Sequence, residues 1–184
     1  MQTKIQLTEK QQQAVDKIKE WYLSPEKEFY LAGYAGTGKS TIVEEVIKQV
    51  ESQEIKKKKN NLKIITGAFT GKAANVLRQK GARSPMTIHK MIYEPITDED
   101  TGNVTFEITH DSPAKSADLI ILDECSMIGE DLATDIRSFK KKILVVGDPG
   151  QLPPIGSAGA FTKRDPDFFL DEIHRQAEDS PIIK

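Results

Sequence analysis

An uninterrupted glycine-rich loop restricts the fold of this chain more than any other feature. The residues from Gly33 to Ser40 read Gly-Tyr-Ala-Gly-Thr-Gly-Lys-Ser and match the pattern G-x-x-x-x-G-K-[ST]. An apolar run at 29–32 predicts a strand before the loop, and Ile42, Val46 and their helically spaced neighbours predict a helix after it. In that context the backbone N–H groups and the helix N-terminus cradle a phosphate. The alternative is a glycine turn with a surface lysine, which the flanking strand and helix disfavour.

The loop pattern indicates how its individual residues are expected to contact a nucleotide and its metal ion. Lys39 is expected to reach the β- and γ-phosphates of a nucleotide, and the Ser40 hydroxyl is expected to join the Mg²⁺ shell. The residues expected to line the nucleotide are Gly33, Gly36, Thr37, Gly38, Lys39, Ser40 and Thr41. The predicted cofactors are therefore ATP and Mg²⁺.

The segment 62–68 reads as a further strand, and two apolar runs, at 119–122 and 143–146, read as fully buried strands; all three alternate with helices. Such alternation predicts an α/β fold with a mostly parallel sheet covered by helices on both faces. Thr8 is a candidate N-cap of the first helix, with Gln11 completing a capping box. Residues 94–116 break the pattern, because Val104, Phe106 and Ile108 alternate with polar residues after a turn-forming segment. We interpret 94–116 as an inserted β-hairpin, or alternatively a mobile surface loop, within a domain formed by 1–93 and 117–184.

Two strands end in residues suited to nucleotide chemistry. Asp123 and Glu124 follow the apolar run 119–122, at the edge where an open parallel sheet binds its ligand. Asp123 is the expected acidic partner of Mg²⁺, and Glu124 is placed to polarise an attacking water. Taken alone, the pair is more often a solvated turn. The next strand ends in a loop where Gln151 could sense the γ-phosphate, although a proline-rich turn is an equal alternative.

The composition limits the classes of protein and the cellular locations that fit this chain. The formal net charge is −2, with 29% charged and 38% hydrophobic residues, which fits a globular domain and does not by itself indicate a nucleic-acid binder. The sequence has no apolar run of membrane-spanning length and no signal-peptide core, so neither a membrane segment nor secretion is expected. The single cysteine, Cys125, excludes an internal disulfide and favours the cytoplasm; burial is expected for it rather than nucleophilic chemistry.

The ordered motifs resemble those of superfamily 1 DNA helicases of the 5′-to-3′ branch, the RecD-like and Dda-like enzymes. Residues 7–11 with Ala14 and Val15 are similar to the Q motif, 33–40 to motif I, and 70–74 to motif Ia. Residues 87–89 are similar to motif Ib, 123–127 to motif II, 147–154 to motif III, and 170–176 to motif IV. The resemblance covers nearly the whole chain. It implies a RecA-like ATP-binding domain, called 1A, with single-stranded DNA and a duplex junction as partners.

The resemblance implies further site residues. Gln11 would read the adenine, or alternatively act only as the capping partner of Thr8, and Arg175 would contact the γ-phosphate. The inserted hairpin lies where the family carries its strand-separating pin, the 1B element, so Phe106 would meet the duplex junction. The residues implied on the DNA-strand path are Phe69, Thr70, Lys72, Thr87 and His89. His89 is as well explained by packing, and Lys72 by a solvated charge.

Two departures from the family pattern qualify these expectations. Phe69 stands where the family usually has proline, so it either stacks on a base or is buried. Motifs V and VI of a second RecA-like domain are missing, which implies a fragment that would hydrolyse ATP poorly and not unwind DNA alone. The alternative function is a P-loop ATPase switch that regulates a partner. A small-molecule kinase is disfavoured by the loop at 147–151 and by Arg175.

Overall fold

We describe the fold from a computed structural model, which covers residues 7–56, 62–109, 111–150 and 159–172. The helices are α1 (Glu9–Leu23), α2 (Lys39–Lys56), α3 (Gly71–Gln79), α4 (Ile88–Ile92), α5 (Pro113–Ser116) and α6 (Glu130–Ser138). The strands are β1 (Glu28–Gly33), β2 (Ile64–Ala68), β3 (Pro85–Thr87), β4 (Tyr93–Thr97), β5 (Val104–Ile108), β6 (Leu119–Leu122), β7 (Lys142–Gly147) and β8 (Phe168–Leu170).

Six strands form one sheet in the order β3-β2-β6-β7-β1-β8, and every neighbouring pair is parallel. Its central strands are apolar on both faces because helices cover both. Along β1, Phe29 and Leu31 pack in one core cluster with α1 and α2, whereas Tyr30 and Ala32 pack in the other with α4, α5 and α6. The predicted α/β fold with helices on both faces is confirmed.

The first helix begins as its sequence predicts. Thr8 accepts a hydrogen bond from the Gln11 backbone N–H at 3.3 Å, and Gln11 Oε1 accepts one from the Thr8 backbone N–H at 3.1 Å. This reciprocal pair satisfies two backbone donors that a helix N-terminus would otherwise leave free. It also fixes the Gln11 side chain on the side of α1 that faces the glycine-rich loop.

The segment after α4 forms an antiparallel hairpin, so the surface-loop alternative does not describe it. Strands β4 and β5 pair with Pro95 opposite Phe106 and Glu94 opposite Glu107. All five residues of β5 are exposed, and Phe106 keeps 63% of its surface accessible. The helix α5, which our sequence analysis did not predict, then returns the chain to the core by burying Ala114. The outer bounds of the insert, 94 and 116, stay a prediction.

Among the described residues, none of the helices is both long enough and apolar enough to cross a membrane.

Candidate nucleotide site and nucleic-acid interface

The candidate residues gather along one edge of the sheet, where its parallel strands end. In spatial order, β3 ends at Thr87, β2 leads to Thr70, β6 leads to Asp123, β7 leads to Asp148, and β1 leads to Gly33. A parallel sheet places all these ends together, and this is the edge at which open α/β sheets bind ligands. Phosphate-loop and acidic residues that are far apart in sequence thus share one surface.

The glycine-rich loop has the backbone shape that its sequence requires. Gly36 and Gly38 have φ values of 80° and 84°, in the left-handed region that glycine tolerates best. A Cβ on Gly33 would lie 2.8 Å from both Leu170 Cβ and Thr37 Oγ1, so β8 packs too closely for a side chain there. Thr37 itself is 1% exposed and donates from Oγ1 to the Tyr34 carbonyl at 2.9 Å. The glycine-rich loop is therefore held in place by its packing against β8 and by its internal hydrogen bond from Thr37 to Tyr34.

Lys39 projects back across this loop. Its Nζ donates to the carbonyl oxygens of Gly33 at 2.6 Å and Tyr34 at 2.9 Å. Burial lowers the pKa of Lys39, while the nearby carboxylates of Asp148 and Asp123 act in the opposite direction. The ammonium is thus held between the loop and two acidic strand ends, where a nucleotide's phosphates would meet it.

Gln11 connects α1 to the loop. Its side chain is buried, and Nε2 donates to the Thr37 carbonyl at 3.2 Å. A Cβ on Gly38 would lie 2.4 Å from the same Nε2, so Gly38 allows the amide to approach the loop backbone. Gln11 therefore performs the capping role and contacts the candidate site; contact with adenine stays a prediction.

Asp123 and Glu124 differ sharply in environment although they are adjacent. Burial raises the pKa of Asp123, against opposing effects from the Glu124 N–H, Lys80 and Lys39. Asp123 Oδ1 accepts that Glu124 N–H at 3.0 Å. Glu124 is exposed and has φ 55° and ψ 45°, a left-handed conformation that costs a non-glycine residue energy. Such strain is often found at functional sites, and here the strained Glu124 is exposed while the adjacent Asp123 is half-buried.

The donor set at this edge fits a magnesium nucleotide. Ser40 and Asp123 line one cleft together, and hydroxyl and carboxylate oxygens are ligands that Mg²⁺ prefers. In the part of the chain that the structure describes, no cluster of three or more His, Cys, Asp or Glu could hold a metal alone. Mg²⁺ in nucleotide sites usually takes one or two protein ligands and completes its shell with phosphates and water. Thr41 follows Ser40 in the first turn of α2 and is half-buried.

Two residues of this site were missed by our sequence analysis. Asp148 follows β7 as Asp123 follows β6, accepts the Gly150 N–H on Oδ1 at 2.9 Å, and acts electrostatically on Lys39. Asp148 could have been predicted, because it is an acidic residue directly after a buried strand, and the same argument was applied to Asp123. Lys80 is the C-cap of α3 and lines the same cleft as Asp123, and nothing in its local sequence indicates that placement.

The residues predicted to contact DNA lie on the neighbouring strand ends. Thr70 and Thr87 are the N-caps of α3 and α4, accepting the N–H groups of Ala73 and Lys90. The structural model gives both threonines a capping role that the motif comparison alone did not indicate. A second cleft is lined by Thr70, Lys72, Lys80, Asp123 and Glu124, so two candidate DNA residues and the two candidate carboxylates share it.

The two aromatic candidates on this side differ in exposure. Phe69 is half-buried against the core, which favours the packing interpretation over free stacking on a base. The exposed ring of His89 lies 5.7 Å from the ring of Tyr93, where the hairpin begins, so it is not a core histidine.

Charge divides this side of the molecule into two segments. Residues 69–93 contain five Lys or Arg and no Asp or Glu: Lys72, Arg78, Lys80, Arg83 and Lys90. The hairpin that follows contains five acidic residues and no Lys or Arg: Glu94, Asp98, Glu99, Asp100 and Glu107. The basic segment suits a phosphate backbone, whereas the hairpin repels one and offers exposed apolar side chains instead.

Cys125 is fully buried, and burial raises the pKa of its thiol to about 12, so it is a packing residue.

The predicted γ-phosphate contacts Gln151 and Arg175 lie outside the described residues.

Fold and site together define a RecA-like P-loop domain of the α/β class. Residues 6–183 match the model of the family described as AAA domain, AAA_30, and the chain belongs to that family. It is similar to a Pif1 helicase from Candida albicans, with a TM-score of 0.59 and 20% identity over 94% of this chain and 41% of that one. Pif1 from Bacteroides, solved with ADP-AlF3 and single-stranded DNA, gives a TM-score of 0.60 and 22% identity over 96% of this chain and 44% of that one.

Two curated relatives are also similar. The uncharacterized protein R530 of Acanthamoeba polyphaga mimivirus is 31% identical over 169 residues, covering 80% of this chain and 33% of that protein. The uncharacterized protein MJ1519 of Methanocaldococcus jannaschii is 34% identical over 161 residues, covering 80% of this chain and 13% of that protein. The chain therefore spans a third or less of the curated relatives it matches.

Proposed function

We propose that this chain is the ATP-binding motor domain of a DNA helicase, of the 5′-to-3′ type by its motif resemblance. The observation that carries the proposal is the shared cleft in which Thr70 and Lys72 lie beside Asp123 and Glu124. One surface thereby joins the residues expected to bind DNA to those expected to hydrolyse ATP. A helicase motor requires these two groups of residues to be adjacent, because bound DNA must influence the site of ATP hydrolysis.

In this proposal the loop backbone and Lys39 hold the β- and γ-phosphates, and Ser40 with Asp123 holds Mg²⁺. When bound, Mg²⁺ neutralises charge that develops on the phosphates during transfer. Glu124 is the general base that takes a proton from the attacking water, a role its exposed carboxylate beside the cleft suits. Gln151 and Arg175 are proposed to sense the γ-phosphate.

Gln11 is proposed to read the adenine as well as to cap α1. A glutamine amide offers two N–H donors and two acceptor lone pairs on its oxygen. The bonds to Thr37 and Thr8 use one of each, which leaves one N–H and one lone pair for a base.

Single-stranded DNA is proposed to run over the basic segment 69–93, with contacts from Phe69, Thr70, Lys72, Thr87 and His89. Helix α3 points its N-terminus, capped by Thr70, toward this path, and a helix N-terminus attracts phosphate. The hairpin, as a 1B pin, would meet the duplex junction through Phe106. Its acidic residues make a backbone contact unfavourable, so stacking on a base is the contact that its exposed ring can offer.

A second RecA-like domain in the same longer protein is proposed to complete the nucleotide site. The partial coverage of both the curated relatives and the Pif1 chains supports this. We also propose a cytoplasmic location, supported by the single buried cysteine.

The test is ATP hydrolysis by the protein that carries the proposed second domain, measured with and without single-stranded DNA. The proposal expects DNA to stimulate hydrolysis and Glu124→Gln to abolish the stimulated rate. Hydrolysis that is indifferent to DNA would contradict it and favour the alternative, an ATPase switch that regulates a partner.

A further inference from the structure

The hairpin leaves the core of the domain at Tyr93. This residue is the C-cap of α4, where its N–H donates to the His89 carbonyl, and it is also the first residue of β4. Met91 and Ile92, directly before it, are fully buried, whereas the rest of β4 and all of β5 are exposed. A two-stranded sheet is only marginally stable by itself, so the orientation of the hairpin depends on how Tyr93 is held.

The Tyr93 side chain connects the hairpin to α6. Its hydroxyl donates to Asp135 Oδ2, and its half-buried ring packs against the core. Ala133 and Ile136 of α6 are fully buried, so Asp135 is carried by a helix that is fixed to the sheet. Among the residues that the structure describes, no other side-chain hydrogen bond or ion pair links β4 or β5 to the rest of the domain.

Tyr93 lies on the face of the hairpin that carries Phe106. In the antiparallel pairing, Tyr93 is opposite Ile108 and Pro95 is opposite Phe106. Directly opposite residues share a face of a sheet, and so do residues two apart along a strand, so these four side chains project from one side. A bond that fixes the Tyr93 side chain therefore helps to fix the direction in which the exposed Phe106 ring is presented.

We propose that Tyr93 is a positioning residue that holds the hairpin, through Asp135, in the orientation that presents Phe106 to the duplex junction. This inference rests on the proposed function, because it assumes that the hairpin meets that junction. Helix α6 begins at Glu130, shortly after the proposed general base Glu124, so the same hydrogen bond connects the hairpin to the segment that carries the candidate carboxylates. Loss of the bond should leave the fold intact and allow the hairpin other orientations.

The chain offers closely matched variants for this hydrogen bond. Tyr93→Phe removes only the donor hydroxyl, and Asp135→Ala removes the acceptor. Asp135→Asn keeps an acceptor oxygen and is the conservative variant. Asp131 lies one turn earlier on α6 and is exposed, and the Tyr93 hydroxyl donates to Asp135 instead, so Asp131→Ala controls for the loss of one negative charge from that helix.

Pulsed electron–electron double resonance measures the position of the hairpin in this chain. Nitroxide labels at Glu99→Cys in the hairpin turn and at Lys48→Cys on α2 report the distance between the hairpin and the domain, and both positions are exposed. Cys125 is fully buried, so it should take no label, and the unsubstituted chain checks this.

Tyr93→Phe and Asp135→Ala should each broaden the distance distribution. The ratio of displaced to anchored hairpin should rise roughly threefold to tenfold, the change that loss of one hydrogen bond produces. The variant with both changes should resemble either alone, because both remove the same bond. Asp135→Asn and Asp131→Ala should match the wild type. Thermal melting checks that each variant is folded, and Asp135→Ala is used alone if Tyr93→Phe is not.

A second readout is unwinding by the longer protein that carries the proposed second domain. Tyr93→Phe should lower unwinding while DNA-stimulated ATP hydrolysis keeps its wild-type rate, and Asp135→Asn should unwind normally.

A wild-type distance distribution in the folded Tyr93→Phe protein would overturn this inference alone, as would equal broadening in Asp131→Ala and Asp135→Ala. Unwinding that does not respond to Phe106→Ala would overturn the proposed pin, and the role of Tyr93 in presenting it. The two failures are distinguished because the distance measurement involves neither DNA nor ATP.

Discussion

Replacing Gln11 with alanine should destabilise the domain, whereas the same replacement at the neighbouring Gln12 should not. Gln11 is 7% exposed and makes two side-chain hydrogen bonds, to the Thr8 N–H at 3.1 Å and to the Thr37 carbonyl at 3.2 Å. Gln12 is exposed, and its side chain donates to Asp16 Oδ1 at 3.1 Å, one helical turn away. The two variants remove the same atoms from the same helix in different surroundings.

The structure sets the size of the effect. Thr37 is 1% exposed, so its carbonyl would lose a donor in a place that water hardly reaches. Depriving a buried group of its partner costs about 1–3 kcal/mol, and half of the capping box is lost as well. We expect a loss of about 2 kcal/mol, which for a chain of this length lowers Tm by about 4–8 °C. Gln12→Ala breaks an exposed pair and should change stability by less than about 0.5 kcal/mol.

Urea and thermal unfolding of the two variants, followed by circular dichroism, measure this difference. A second readout is the preference for ATP over GTP, which should fall in Gln11→Ala if the residue reads adenine. Equal melting temperatures for Gln11→Ala and Gln12→Ala would refute the argument from burial. A large loss of stability with an unchanged ATP preference would leave Gln11 as a cap and loop brace only.

Three further predictions concern Lys39 with the proposed general base Glu124, the glycine at position 38, and Phe106 of the hairpin. Lys39→Ala should weaken magnesium-ATP binding, whereas Glu124→Gln should preserve binding and, in the longer protein that carries the proposed second domain, slow turnover roughly 10²–10⁴-fold; equal loss of binding in both would contradict their separate roles. Gly38→Ala should lower both stability and nucleotide affinity, because φ is 84° there and the new Cβ would lie 2.4 Å from the buried amide; wild-type unfolding would disprove this. In the longer protein that carries the proposed second domain, Phe106→Ala should reduce unwinding but leave Tm nearly unchanged, since Phe106 is 63% exposed, whereas Phe161→Ala, at a residue 1% exposed, should cost about 3–5 kcal/mol. Parallel loss of unwinding, ATP hydrolysis and Tm in Phe106→Ala would refute the pin.

Much of the sheet could be predicted because buried parallel strands are short, continuous apolar runs. The runs that became β1, β6 and β7 were visible for this reason, and the glycine-rich loop identified the strand–loop–helix unit directly. Strands β3 and β8 were not predicted, since each has three residues and no period can be read from so few. They are strands only because β2 and β1 pair with them.

The sequence could identify site residues that are recognised by their type and by their position at the end of a strand. It could not identify residues that reach the site only through the three-dimensional packing of the chain. Asp123 could be found from the strand before it. The left-handed backbone of Glu124 could not, because no local sequence rule requires it of a glutamate. Lys80 is one of five cations in its segment, and only the packing of α3 against the sheet brings it to the cleft that Asp123 also lines.

The most direct test of the central claim is calorimetric binding of a non-hydrolysable ATP analogue to this chain, with and without Mg²⁺. Wild-type protein should bind the analogue more tightly with Mg²⁺, and Lys39→Ala should lose about 10- to 100-fold in affinity, as expected for one charged hydrogen bond to phosphate. Asp123→Asn should lose the gain from Mg²⁺ while keeping metal-free binding. Equal affinity of the wild type and Lys39→Ala, or a full Mg²⁺ response in Asp123→Asn, would contradict the assignment of this edge as a magnesium-nucleotide site.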